Sequence, residues 1–451
     1  MQEVEQRRER LPRMGVRIAV CFCTPPSPPS PLQGEGVNTA QLTWFEMMNI
    51  TYREIEGTSP GYYALLAVLG LFILLGLGAS LYMEHEGHHV TGMNNQIVWG
   101  MPHVFAVFLI VAASGALNVA SVSSVFSKTP YKPLAPLSAL LAMSLLLGGL
   151  IILVLDLGRP DRLIVAMLNY NFKSIFAWNI FLYTGFLAVT AVYLWLMMER
   201  RMNPYSKRAG LVAFVWRLIL TTGTGSIFGF LVAREMYDSA LLAPMFIIMS
   251  LAFGTAIYLL VLLSAYHGTG RVLGDATLRR LKNLLGVFVA AVLLMVLTFH
   301  LTKLYVTQHH GVEQFILLDG GVYTLLFWGG QIVLGTLLPL ALLFHPVTSA
   351  SRGGIAAASV LVVLGGLAQM YVLIIGGQAY PLDLFPGFEV QSSFADGVIA
   401  TYTPSLYEIA LGLGGTALAL ALVTVAIKVL RFLPLSLADA DVDPAAAKDA
   451  A

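Results

Sequence analysis

Two short stretches place chemistry-bearing side chains at the ends of apolar runs. GMPHVFAVFLIVAASGALNVASV carries His103 directly after Met101 and Pro102. VLDLGRPDR, at 154–162, sets Asp156, Arg159, Asp161 and Arg162 immediately behind the run LLAMSLLLGGLIIL. An imidazole titrates near neutrality, and a carboxylate beside it fixes its tautomer and raises its basicity. A His103–Asp156 pair can therefore take up and release protons. Asp156 and Arg159 could equally form a structural ion pair at a helix end, where Gly158 and Pro160 stop the helix.

Further polar groups lie inside apolar runs, where ionisable side chains are costly and usually functional. Ser114, Asn118 and Ser121 fall with His103 within about 60° of one helical face. Such a stripe either joins helices, as Ser and Asn often do, or lines a water-filled proton path. In WRLILTTGTGSIFGFLVARE, the residues Arg217, Thr221, Thr224 and Glu235 are expected on one face. Eighteen residues at 1.5 Å each would carry that stripe roughly 27 Å, nearly across a bilayer. Gly225 and Gly229 form a GxxxG that admits a close helix neighbour. His300 and Lys303 share a face in TFHLTKLY, and Glu408 is expected at similar depth. These three form either a second polar pocket or interfacial caps. The loop histidines at 85, 88, 89, 309 and 310 have no fixed spacing and make a weak metal signature.

The elements that must position these groups are membrane spans. Of 451 residues, 57% are hydrophobic and 11% charged, and mean hydropathy is +0.77; soluble domains carry about 25% charged residues. Net charge is +1, which argues against a nucleic-acid surface. Apolar runs predict an all-α, polytopic membrane protein with ten helices near 62–83, 101–126, 134–156, 174–198, 211–234, 242–266, 283–307, 322–344, 354–376 and 405–430. Lys and Arg concentrate in the even-numbered gaps, including Arg200, Arg201, Arg279 and Arg280, which predicts both termini on the cytoplasmic side and VLDLGRPDR outside. The gap at 377–404, with Asp383, Glu389 and Asp396, reads as an external loop.

Four regions follow: 1–36 an extension, 37–61 an N-terminal cytoplasmic segment, 62–430 the membrane domain, and 431–451 a cytoplasmic tail. The PPSPPSPLQGEG piece of the extension is low-complexity, and the stretch is either a disordered tail or the product of a start assigned upstream of Val37. Both cysteines, Cys21 and Cys23, lie there. The membrane part therefore has no thiolate for an iron–sulfur cluster.

GMPHVFAVFLIVAASGALNVASV and VLDLGRPDRLIVAMLNYNFKSIFAWN resemble the NrfD/polysulfide reductase membrane-subunit family, LDLGRPDR…NFKS…W being the most specific part. The resemblance covers about residues 60–430. Within the family these segments look most like the DsrP group, the membrane subunit of the sulfite-reduction-associated DsrMKJOP complex. The resemblance implies NrfD-like helical bundles and a protein of the inner membrane that binds menaquinone or ubiquinone as substrate and holds no haem or iron–sulfur cluster of its own. It implies as partners a periplasmic iron–sulfur subunit and other membrane and multihaem subunits. Asp156 and Arg159 match the family motif directly, and His103 lies in the helix-2 motif. The expected quinone and proton-handling residues are His103, Asp156, Arg159 and Asn118. Three other readings of the ten spans stand beside this one: a membrane anchor of a polysulfide- or tetrathionate-reductase-type molybdoenzyme, a b-haem cytochrome with His103 and His300 as axial ligands, and a transporter.

Overall fold

The computed structural model describes residues 50–442, apart from 383, 384, 386, 387, 389–391 and 393–396. The extension at 1–36, both cysteines, and Asp383, Glu389 and Asp396 lie outside the described residues.

Ten helices are long and apolar enough to cross a membrane: α1 (Pro60–Glu86), α2 (Met101–Ser124), α3 (Thr129–Leu155), α4 (Ile175–Met198), α5 (Asn203–Gly229), α6 (Leu242–Thr269), α7 (Asp275–Tyr305), α8 (Val322–Phe344), α9 (Arg352–Ala379) and α10 (Leu406–Val429). The protein is an integral, multi-pass membrane protein. Every predicted span is present, but α5 begins at Asn203 rather than 211 and α7 at Asp275 rather than 283, and other ends shift by a few residues. The fifth helix stops at Gly229 rather than 234, so Glu235 leaves the stripe expected of it. The glycine pair explains the stop. A Cβ at Gly225 would lie 2.7 Å from the Leu242 carbonyl oxygen, and one at Gly229 would lie 2.8 Å from that of Ser239. The chain turns back at once against the helix it has just left.

Helices α2–α5 pack as one bundle and α6–α9 as a second, with α1 paired to α10 at the side. Helix α2 is the axis of the assembly, touching α3, α5, α6, α9 and α10. Its most apolar window is buried throughout, whereas only 22% of that of α1 is. Hence α2 can carry Ser114, Asn118 and Ser121 away from lipid while α1 stays apolar all round. The bundles meet where Gly115 of α2 crosses Gly254 of α6. A Cβ on Gly115 would lie 1.6 Å from the Ser250 carbonyl oxygen, and one on Gly254 would lie 2.1 Å from the Ala116 nitrogen. Only glycine permits that backbone approach.

At the end bearing most Lys and Arg, a two-residue parallel pairing joins Val272–Leu273 to Ser436–Leu437. Arg271 donates there to the carbonyl oxygens of Arg53, Glu54, Leu433 and Pro434. His103 and Asp156 lie at the opposite end.

Candidate functional site

Helix α2 starts at Met101 with Pro102 in its first turn, where a missing N–H costs nothing. This places His103 on the first turn, facing Asp156, the residue that ends α3. His103 Nδ1 and Asp156 Oδ2 are 3.0 Å apart, with the Asp156 side chain 1% exposed and that of His103 24%. Close as they are, they are not aligned as a hydrogen bond: among the described residues, His103 Nδ1 and both Asp156 oxygens lack a partner. A buried carboxylate without a donor among the described residues, beside a partly open imidazole, leaves hydrogen-bonding capacity free at this rim.

Trp99 stacks on His103 with ring centroids 6.0 Å apart and meets Phe176 and Phe228. The segment carrying Trp99 is held from the second bundle. The fully buried Gln378 of α9 accepts from the Val98 and Trp99 amides at 3.0 Å each and donates to the Trp99 and Ile374 carbonyls. Arg234 donates to the carbonyls of Gln96 and Gln378. Below Gly100, Tyr402 accepts from the Met101 amide and donates to Glu408 at 2.6 Å. Burial, then that carboxylate, pushes the Tyr402 phenol well above its usual range, so it stays a donor at neutral pH.

Other expected groupings come apart. Glu408 is not beside His300 and Lys303: it forms a capping box with Ser405 at the start of α10 and accepts from the Gly92 amide. The cap reading of Glu408 is therefore the one the geometry carries. Arg159 is turned to solvent and pairs with Asp161 at 3.1 Å, not with Asp156. Asn118 is fifteen residues along α2 from His103, roughly 22 Å away at helical rise. It joins Arg217 instead, accepting from Nη2 at 3.0 Å. Thr221 donates to Ser114 at 2.6 Å, and Ser114 and Thr221 both bond the Arg217 backbone, so the four residues bind α2 to α5. Ser121 and Thr224 bond carbonyls in their own helices.

His300 and Lys303 are buried rather than interfacial. Their partners are ones the sequence pattern does not point to. His300 Nδ1 is 2.8 Å from Oε2 of Glu313, which is fully buried in the short helix His310–Gln314. Lys303 donates to the carbonyls of Glu235 and Asp238. HHGVE reads as an external loop, yet one of its acids folds inward. Among the described residues no group of three or more His, Cys, Asp or Glu side chains converges as for a metal ion.

Fold and site together define a polytopic membrane protein with an aromatic-walled His–carboxylate pair at one rim of its first bundle. Residues 89–381, well over half the chain, match the model of the family described as Polysulphide reductase, NrfD, and the chain belongs to that family. It is similar to the Hdr-like menaquinol oxidoreductase integral membrane subunit of Archaeoglobus fulgidus, with 29% identity over 80% of this chain and 91% of that protein. A putative dimethyl sulfoxide reductase membrane subunit of Halobacterium salinarum is 28% identical over 83% of this chain and 92% of its own length. A selenate reductase subunit of Mesobacillus selenatarsenatis is 23% identical over 80% and 90% respectively.

Proposed function

We propose that this chain is the quinone-interacting membrane subunit of an oxidoreductase complex, with the quinone ring bound at His103 and Asp156. The observation that carries the reading is the misaligned 3.0 Å pair, whose buried carboxylate has no donor among the described residues while its imidazole stays partly open. Quinol oxidation releases two electrons and two protons, so its site needs a base in reach of each hydroxyl. His103 accepts the proton of one hydroxyl and the Asp156 carboxylate that of the other, and the Trp99 face supplies a flat apolar wall for the ring. The electrons pass to a partner, since no cysteine follows Cys23 to ligate a cluster here.

The menaquinol named for the Archaeoglobus relative supports quinone as substrate, and the excess of Lys and Arg at the other end supports an outer-facing site in the inner membrane with cytoplasmic termini. On this reading a periplasmic iron–sulfur subunit docks over 84–100 and 157–173, within a DsrMKJOP-like assembly. The reductases named for the other two relatives favour a second version, an anchor for a molybdoenzyme of the polysulfide-reductase type. Ser114, Asn118, Arg217 and Thr221 support a helix zipper better than a proton route, since they bond one another and Glu235 lies beyond the helix.

The test is His103→Ala and Asp156→Asn in the assembled complex. Quinol-dependent transfer should fall by roughly 10²–10⁴ while an artificial donor still reduces the partner's clusters. Normal quinol turnover in both variants sinks the reading. Reporter fusions at Arg201 and Arg280 should read cytoplasmic and one at Gly87 external, and the reverse pattern would overturn the sidedness.

A further inference from the structure

The second bundle holds a buried polar cluster that quinone chemistry at His103 does not use. Glu313 engages His300 Nδ1 through Oε2, and its Oε1 has no partner among the described residues. Nε2 is then the ring nitrogen left for the interior. His300 lines a cavity of about 20 Å³ together with Gln331 of α8, Gln369 of α9 and the apolar Met236, Met245 and Phe299. Gln331 and Gln369 are 5% and 4% exposed, and among the described residues their amide groups bond no protein atom. The same two glutamines line a second cavity of about 10 Å³ deeper in the bundle, beside Thr336. Helix α8 is π-helical from Leu326 to Leu337, and that wider turn sets which way Gln331 points.

Size decides what can enter. A water needs about 10–15 Å³ and two to four polar partners. Small organic ligands occupy about 300–1,000 Å³, so neither a quinone ring nor a haem fits. The charged and titratable groups around the pair are Lys303, Glu235, Asp238 and His309.

We propose that this is a hydrated proton site, separate from the quinone site. One water sits between His300 Nε2 and the Gln331 and Gln369 amides, and one proton is taken from the adjacent aqueous phase by the His300–Glu313 pair. No other bond changes: imidazole becomes imidazolium against the Glu313 carboxylate, and the proton leaves through the water. The 230–241 segment touches both sites, Arg234 holding the segment that carries Trp99 while the carbonyls of Glu235 and Asp238 hold Lys303. The proposal rests on the quinone reading only for the reaction that drives the cycle.

The experiment uses the whole complex in sealed vesicles, with electron transfer and proton movement recorded together by a pH dye. Glu313→Gln, and separately Gln331→Leu with Gln369→Leu, should leave quinol-dependent electron transfer within about threefold, since neither touches the reacting ring. The protons moved per two electrons should fall by about one, the single proton the pair can hold. An unchanged proton count, or electrons and protons falling in the same proportion, overturns the proposal. If Glu313→Gln prevents assembly, the glutamine pair decides alone. A high-resolution map without density for a water among His300, Gln331 and Gln369 also overturns it. His103→Ala distinguishes the two ideas: retained quinol turnover there defeats the quinone site and leaves the proton count in the Glu313 variant still readable.

Discussion

Each bundle sets a histidine against a buried carboxylate, and the two pairs are built to opposite ends. At the rim of the first, His103 and Asp156 approach to 3.0 Å without alignment, and the imidazole is 24% exposed. Inside the second, His300 and Glu313 make a 2.8 Å hydrogen bond, with side chains 11% and 0% exposed. The unpaired polar atoms of the first pair lie at an accessible rim open to a ligand, whereas His300 lines a water-sized void that keeps large ligands out, even though one Glu313 oxygen is also unpaired among the described residues. On the readings proposed above, the same two functional groups serve as a substrate site in one bundle and as an internal proton store in the other. Solvent access and alignment make the difference.

The largest expected effect breaks the comparison at its open side. His103→Ala should lower quinol-dependent transfer by roughly 10²–10⁴, against the threefold ceiling set for Glu313→Gln. Comparable losses from the two would mean that the pairs do one job.

Next comes Gln378, which ties the open pair to the second bundle. Gln378→Leu leaves the Val98 and Trp99 amides without their acceptor, at roughly 1–3 kcal/mol for each buried donor. The Trp99 wall should loosen, raising the KM for quinol by about tenfold with a smaller change in kcat. Gln378→Glu restores the acceptor and should recover part of the affinity. Equal losses of kcat and KM effect in both variants would mean that Gln378 only holds the fold.

How much of this is legible in the sequence follows from which signals are local. All ten spans, and the facing of His103 and Asp156, follow from apolar run lengths and from the short gap joining α2 to α3. Glu313 is not legible. It stands in a polar HHGVE stretch that reads as loop, and only the chain's return over α7 buries it beside His300. The role of Gln378 depends on a π-helical turn at Val372–Gly376 just before it, which a 3.6-residue pattern does not foresee. Glu408 is misplaced when similar depth is taken for proximity, because ten helices offer many neighbours at one depth. Arg159 is misplaced beside Asp156 because motif membership gives no side-chain direction.

A smaller effect is expected at the Tyr402–Glu408 corner beneath His103. Tyr402→Phe removes the acceptor for the Met101 amide and a donor to Glu408, worth about 1–2 kcal/mol together, or a few degrees in Tm. The folded state holds the phenol above its usual value of about 10, while the unfolded chain ionises there. Its stabilising contribution is whole below that pH and declines above it. The melting temperature of the variant should thus change less than that of the wild type as pH rises past 10, and parallel alkaline limbs would remove Tyr402 from the account.

The smallest effect should come from Arg159, whose membership in LDLGRPDR makes it look indispensable. In this structure its side chain is 65% exposed and its partner is Asp161, itself 62% exposed. Asp161 is held below its ordinary carboxylate range, first by its hydrogen bond to Arg159, but such a pair in water is screened and adds little to stability. Arg159→Ala should leave Tm unmoved and quinol turnover within about twofold, measured in the assembled complex at two salt concentrations. A salt-dependent loss of transfer to the partner, with turnover by an artificial acceptor intact, would place Arg159 on the docking surface. A loss of tenfold or more with either acceptor would mean that Arg159 leaves Asp161 and turns to the quinone when it binds, making the open pair a triad.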